Sequence, residues 1–276
     1  MRWITARRRH PAAGYAVVLL MLVAIGMGYA AISGQGAASA SAPAADQRQI
    51  AKGQDLFAAN CSTCHGLEAQ GTAVAPSLIG VGAAAVDFQV STGRMPSAGP
   101  GAENARKDVA TAFASKKYGE QYIHDVAAYV QSLGGGPTIP SASQVSTAGA
   151  SVAVGQQLFI ANCAQCHNFV GAGGALTYGK YAPALTQATP TQIYEAMLTG
   201  PEAMPVFNDT TLSPENKRNI VAYVVETRSE PNPGGFSLGR IGPVTEGLVA
   251  FLGLLFFMVL AALWITAKQG KTKPNE

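Results

Sequence analysis

Cys61-Ser62-Thr63-Cys64-His65 and Cys163-Ala164-Gln165-Cys166-His167 hold all four cysteines of the chain and two of its four histidines. The second stretch repeats the first at an offset of 102 residues. A bare C-x-x-C also occurs in zinc sites and in dithiol redox centres. Neither use asks for a His directly after the second Cys, and here it follows twice. Four thiolates from both pairs could close on one zinc ion, but the separation exceeds usual ribbon spacings and leaves the histidines unexplained. The reading that uses every residue is covalent attachment of c-type haem. Both thiols add to porphyrin vinyl groups as thioethers, and the adjacent imidazole becomes an axial ligand of the iron. Two covalently bound haems c are expected, one on Cys61, Cys64 and His65, the other on Cys163, Cys166 and His167.

A motif repeated at this spacing divides a chain of 276 residues into two small domains. They are expected at 46–135 and 151–230, joined by an uncharged linker at 136–150. Domains of this size have marginal cores. Each haem would therefore be the centre of its core, and the apo-protein should fold poorly.

The net charge of +3 is unevenly spread. Arg2, Arg7, Arg8 and Arg9 lie in an amino-terminal stretch without acids, and Lys268, Lys271 and Lys273 lie near the other end against Glu276. Between residues 46 and 246 there are 12 basic and 15 acidic side chains. The basic balance thus belongs to the tails, and it points to membrane topology rather than to nucleic acid. Residues 14–32 and 247–267 are uncharged runs of 19 and 21 residues, close to the length of a transmembrane helix. The second is apolar on all faces and ends at Trp264 before lysines, as a membrane anchor does.

The first run has two readings. With its basic flank and Ala38-Ser39-Ala40 it also describes a cleavable signal peptide, but its length favours a retained helix. Either way the carboxyl-terminal tail at 268–276 lies in the cytoplasm, and a retained helix places the basic tail at 1–13 there too. The haem domains lie on the outer face of the cell membrane, with a flexible stretch at 33–45 and a connector at 231–246. The fold class is mainly α: two tandem cytochrome-like domains plus one carboxyl-terminal transmembrane helix and a second at the amino terminus.

Within the outer segment, Asp46 and Gln49 have the spacing of a capping box opening a helix. Ile50, Gly53, Leu56 and Phe57 then fall on one face before Cys61. Val154, Gly155, Leu158 and Phe159 repeat this before Cys163. A glycine inside a helix costs about 1 kcal/mol relative to alanine, so two at matching positions imply close approach of another helix. The candidates are the helix of Ile123, Val126, Ala127, Tyr129 and Val130, and that of Ile220, Tyr223 and Val224, which starts at Ser213 as cap and Pro214 at the first position.

This order resembles class I cytochrome c over about residues 46–135 and 151–230. That family implies a methionine sixth ligand between the haem motif and the last helix. Only His10 and His124 remain besides His65 and His167, so two bis-His haems are ruled out. Met95, in Gly93-Arg94-Met95-Pro96, is the one methionine between His65 and Cys163. In the second half Met204-Pro205 reproduces the Met-Pro step, whereas Met197 sits in an apolar pattern with Ile193 and reads as core. The alternative for Met95 and Met204 is packing by a soft apolar side chain. His124 reads as a solvated residue on a polar helix edge. The family also implies a Pro carbonyl that accepts a hydrogen bond from the proximal imidazole, for which Pro76 and Pro183 are placed; a Pro that only ends a turn is the alternative. A charged, glycine-containing insertion between Pro96 and Tyr122 has no full counterpart in the second half; a docking loop is one reading, and a solvated surface loop is the default. The two domains are expected to pack together, because electron tunnelling decays steeply with distance.

His/Met ligation suits electron transfer, and no other catalytic constellation is visible. A closer resemblance rests on Pro76-Ser77-Leu78-Ile79-Gly80-Val81-Gly82, Phe88-Gln89-Val90-Ser91-Thr92-Gly93-Arg94-Met95-Pro96, Gly179-Lys180-Tyr181-Ala182-Pro183, and Met197-Leu198-Thr199-Gly200-Pro201 leading to Met204-Pro205. Together with the two-domain, one-anchor layout these resemble the dihaem cytochrome c subunit of actinobacterial cytochrome bc (bcc) menaquinol-cytochrome c reductase complexes. The resemblance implies three partners: a cytochrome b subunit, a Rieske iron-sulfur subunit that reduces the first haem, and a haem-copper cytochrome c oxidase that takes electrons from the second. A free-standing membrane-anchored carrier and a dihaem peroxidase are the other classes. The peroxidase needs an open sixth position that Met95 and Met204 would close.

Overall fold

The computed structural model describes residues 11–33, 47–99, 103–230 and 237–269. Asp46, the expected cap of the first domain, lies outside them, as do His10, Ala38-Ser39-Ala40, most of the stretch at 33–45 and the end of the carboxyl-terminal tail. Helix α1, Pro11–Ser33, belongs to a separate amino-terminal unit. Its apolar part is Gly14–Gly28, a form that an anchor and a signal-peptide core share.

In the first haem-motif domain, helix α2 (Gln47–Asn60) crosses the helix Gly119–Ser132. Gly53 is the reason they can touch. A Cβ there would lie 1.9 Å from the carbonyl oxygen of Asp125 and 2.9 Å from Cβ of Tyr129. One turn on, Phe57 packs against Tyr129 with ring centroids 5.3 Å apart. The second domain repeats the crossing between Val152–Asn162 and Pro214–Ser229. A Cβ on Gly155 would lie 1.9 Å from the carbonyl oxygen of Asn219, and Phe159 and Tyr223 stand 5.2 Å apart. Ser213 caps the last helix by accepting from the Asn216 N–H, with Pro214 at the first position.

In chain order the longer helices after α2 are α3 (Ala83–Ser91), α4 (Gly119–Ser132), α5 (Val152–Asn162), α6 (Pro190–Thr199), α7 (Pro214–Ser229) and α8 (Pro243–Gln269). A two-residue antiparallel ribbon pairs Gly174–Ala175 with Tyr181–Ala182. Each domain has its own core: Phe57, Val86, Val90, Ile123, Val126 and Val130 in the first, Phe159, Ile193, Met197, Ile220 and Val224 in the second.

The domains pack through α3 and α6. The structure adds to the reading of both connecting segments. The insertion after Pro96 does not run free in solvent. It doubles back over the Met95 loop, where Lys107 N–H donates to the Thr92 carbonyl and Lys107 Nζ to the Pro96 carbonyl. It then reaches the second domain, the Asn104 N–H donating to Glu202 Oε1 at 2.6 Å and Arg106 Nη1 to Gln192 Oε1 at 3.1 Å. The linker at 136–150 is also laid down rather than loose: Pro137 O accepts from the Ala84 N–H, Ile139 packs on the first core, and Val145 packs on the second. The Pro137 carbonyl thereby satisfies one of the free N–H groups at the start of α3.

A buried carboxyl pair crosses the α3–α6 contact. Glu195 on α6 is fully buried, and its oxygens meet no N–H or hydroxyl donor among the described residues. The group facing them is the buried Asp87 carboxyl on α3, which His124 Nε2 approaches at 3.7 Å. His124 is therefore a half-exposed neighbour of an acid rather than a purely solvated side chain. Burial, and then the charge and hydrogen bond of Asp87, push Glu195 up to about 10, so it keeps its proton at neutral pH and donates it toward Asp87. Because the folded state holds this proton and the unfolded chain does not, the stability it confers is complete below the usual carboxylate range. It is lost as pH rises toward 10. Glu195→Gln is expected to melt higher than wild type at pH 8 by on the order of 2 kcal/mol, roughly 4–8 °C. Thermal melts between pH 6 and 9 should flatten in the variant; parallel slopes would sink the idea.

Candidate haem sites

Helices α2 and α5 end alike. Asn60 Nδ2 donates to the Leu56 carbonyl and Asn162 Nδ2 to the Leu158 carbonyl, both at 2.8 Å. Each chain then makes one further helical turn, Ser62–His65 or Ala164–His167. In these turns the His65 N–H donates to Cys61 O at 3.0 Å and the His167 N–H to Cys163 O at 2.9 Å. The turn brings both cysteines and the histidine of each motif to one place, although they are spread over five residues of sequence.

The imidazoles are fixed from behind. His65 Nδ1 lies 2.8 Å from Pro76 O, and His167 Nδ1 lies 3.0 Å from Pro183 O. A carbonyl can only accept, so each Nδ1 carries a proton, and the tautomer this selects is the one that leaves Nε2 as the ligating nitrogen. Both histidines are buried. Burial holds the His167 pKa below its usual value, against the opposing pull of its bond to Pro183. Burial, and then the neighbouring Cys64 and Cys166, push the Cys61 thiol up to about 11 and the Cys163 thiol up to about 12. Among the described residues no cluster of three or more His, Cys, Asp and Glu side chains forms a metal site. One zinc shared by the two cysteine pairs is thereby set aside.

In the second domain the motif opens on a cleft. Cys163, Cys166, His167, Pro183 and Met204 stand on its walls, and Phe159, Leu185, Ile193, Met197, Ile220 and Val224 supply its apolar surface. A large apolar plate with thiols and an imidazole at one side and a thioether at another fits this cleft. Met204 reaches it because α6 stops at Gly200, whose φ of 57° is left-handed and turns the chain back. Met197 is buried in the core and lines the cleft wall. In the first domain α3 stops before Gly93, also left-handed at φ 68°, and Met95 follows with Cys61, Leu78 and Val81 against the first core.

Sequence reasoning missed three elements. Arg94 was quoted only as part of a motif, yet it is buried and lines the cleft of the other domain with Arg106. Asp87 and Glu195 form the pair described above. Their one visible signal is a lone acid within each otherwise uncharged helix, Ala83–Ser91 and Pro190–Thr199.

Both halves match cytochrome models. Residues 50–134 match cytochrome c, and residues 150–224 match subunit III of the cbb3-type cytochrome C oxidase. The cytochrome bc1 complex cytochrome c subunit of Corynebacterium diphtheriae is 42% identical over 283 residues, covering 96% of this chain and 98% of that protein. The chain belongs to the family of cytochrome bc1 complex cytochrome c subunits. The member from Mycobacterium leprae is 43% identical over 258 residues, 91% of this chain and 87% of its own. That of Mycobacterium tuberculosis is 42% identical over 271 residues, 96% and 94%.

As a cytochrome bc1 complex cytochrome c subunit, the chain is an electron-transfer protein. Its helix α8 accords with membrane association. It is 27 residues long, about 40 Å at 1.5 Å per residue. None of its apolar stretch, Pro243–Ala267, is buried against the rest of the chain.

Proposed function

We propose that the chain carries two covalent haems c and relays electrons outside the cell membrane, from a Rieske iron-sulfur subunit to a haem-copper oxidase. Cys61 and Cys64 form the thioethers of the first haem, with His65 and Met95 as axial ligands. Cys163, Cys166, His167 and Met204 do the same for the second. The observation that carries the reading is the repeated hydrogen bond from a motif histidine to a proline carbonyl, which leaves Nε2 free at both sites.

Haem c would supply a one-electron iron couple. The protein's own work is positional. Pro76 and Pro183 hold the rings in the ligating tautomer. Phe159, Ile193 and Ile220 exclude water from the second site. The α3–α6 contact and the insertion at Asn104 and Arg106 keep the two sites in one body. Such a relay suits a subunit of a quinol-oxidising complex with cytochrome b as a further partner, the resemblance naming menaquinol as the donor. Helix α8 anchors it, with α1 as a second, retained span and both termini cytoplasmic.

Two measurements test this. A reduced-minus-oxidised spectrum of material purified gently through a tag on this chain should show haems b and a together with haem c, all reducible by menaquinol. Haem c alone would favour the free-standing carrier. The pyridine haemochrome of the wild-type chain should give two haems c per chain, and the Cys163→Ala, Cys166→Ala variant one. An undiminished count in the variant would overturn the assignment of the second site.

A further inference from the structure

The cleft of the second domain is not built by that domain alone. Phe88, Thr92, Arg94, Glu103 and Arg106 of the first domain form part of its lining. Arg94 is the unusual member. It is only 7% exposed, and it makes no hydrogen bond and no ion pair within salt-bridge distance among the described residues. Its one close partner is the ring of Phe88, with the guanidinium carbon 4.9 Å from the centroid. An arginine cannot shed its charge, and burial, with the like charge of Arg106, works against this one; the Glu202 carboxylate offsets part of that from beyond salt-bridge distance.

Glu202, whose charge acts on Arg94, and Glu103, which lines the same cleft, each accept from another donor. Glu202 Oε1 accepts from the Asn104 N–H at 2.6 Å, and the Glu103 carboxylate accepts from the Tyr181 N–H at 3.2 and 3.3 Å. Arg106 is held toward the cleft by its bond to Gln192, whose Nε2 in turn donates to Ser91 Oγ at 3.1 Å. Two arginines therefore converge on an apolar cleft that carries the attachment cysteines, and they come from the other domain. The group that belongs in that cleft brings two carboxylates of its own, the haem propionates. Arginine matches a carboxylate with two parallel N–H donors.

We infer that Arg94 and Arg106 of the first domain are the counter-ions of the propionates of the second haem. This rests on the second haem occupying the cleft. The loop that carries Met95 thus has two tasks: Met95 faces the first site, and the neighbouring Arg94 secures the second. Cationic partners at the propionates stabilise the reduced, less positive haem, so they raise the potential of the second haem relative to the first.

The test uses the full chain with haem attached, titrated spectroelectrochemically. Arg94→Gln with Arg106→Gln should keep two haems c per chain by haemochrome and lower the midpoint of the second haem alone. Arg94→Lys should recover most of that shift by keeping the charge. The second component is assigned independently as the one that moves in a Met204 variant. Arg106→Gln, at an exposed position, should give a smaller shift of the same sign in a chain that folds normally. Unchanged midpoints in both Arg106→Gln and the double variant, or movement of the first haem instead, would overturn the inference. A haem count of one in the wild-type chain, or a Met204 variant that moves neither component, would instead overturn the reading beneath it.

Discussion

Gly155→Ala is expected to strip the second haem from most chains and to cost at least about 3 kcal/mol in that domain. On helix propensity alone the change should stabilise by about 1 kcal/mol, so the sign of the effect is diagnostic. The contact decides it. The new Cβ would stand 1.9 Å from the Asn219 carbonyl oxygen and 3.0 Å from Cβ of Tyr223. Both are parts of the backbone or its first side-chain atom, so no rotamer change relieves them. Helices α5 and α7 must separate, and with them the tilted ring pair of Phe159 and Tyr223, of which Phe159 lines the cleft. A domain with so small a core has little margin to absorb this. Gln157→Ala, at an exposed position of the same helix, should stay within about 0.5 kcal/mol of wild type. Haemochrome counts and thermal melts on both variants decide the matter. A Gly155→Ala chain with two haems and an unchanged Tm would refute the close-approach argument.

That glycine illustrates which features the chain announces. A single position with a helix-breaking residue, repeated at Gly53 and Gly155, already requires a neighbour at van der Waals contact. The structure supplies the neighbour at the partner helix expected from Tyr129 and Tyr223. The histidine-to-proline bonds were expected through the resemblance to class I cytochrome c; the residues alone left Pro76 and Pro183 equally readable as turn-ending prolines. What was not legible depends on how the two domains meet. Arg94 reads as a loop residue before Met95, and only the approach of the second domain makes it part of another site. The insertion looked like a solvated loop because it is charged, but Asn104 and Arg106 spend their polar groups on Glu202 and Gln192. The segment at 136–150 reads only as an uncharged linker, yet its Pro137 carbonyl accepts from the Ala84 N–H at the start of α3. Pairings between domains leave no periodic trace in either of them.

Met204→His carries the largest functional consequence. Methionine opposite histidine raises a haem potential, and a second imidazole in its place lowers it. The expected drop at the second haem exceeds about 59 mV, the one-electron equivalent of a tenfold change in equilibrium. An electron arriving on the first haem then finds no downhill step. Quinol oxidation through the chain should fall by an order of magnitude or more while the haem count stays at two. Met197→Leu is the control, since Met197 is also a methionine on the cleft wall but lies buried within the core at 2% exposure. Its replacement by a residue of similar volume should cost less than about 1.5 kcal/mol and leave both potentials in place. Titrations of the two variants separate a ligand from a packing residue. If Met197→Leu lowers the second potential and Met204→His leaves it alone, the sixth ligand is Met197. The turn at Gly200 would then be serving the approach of α6 to the first domain rather than the iron.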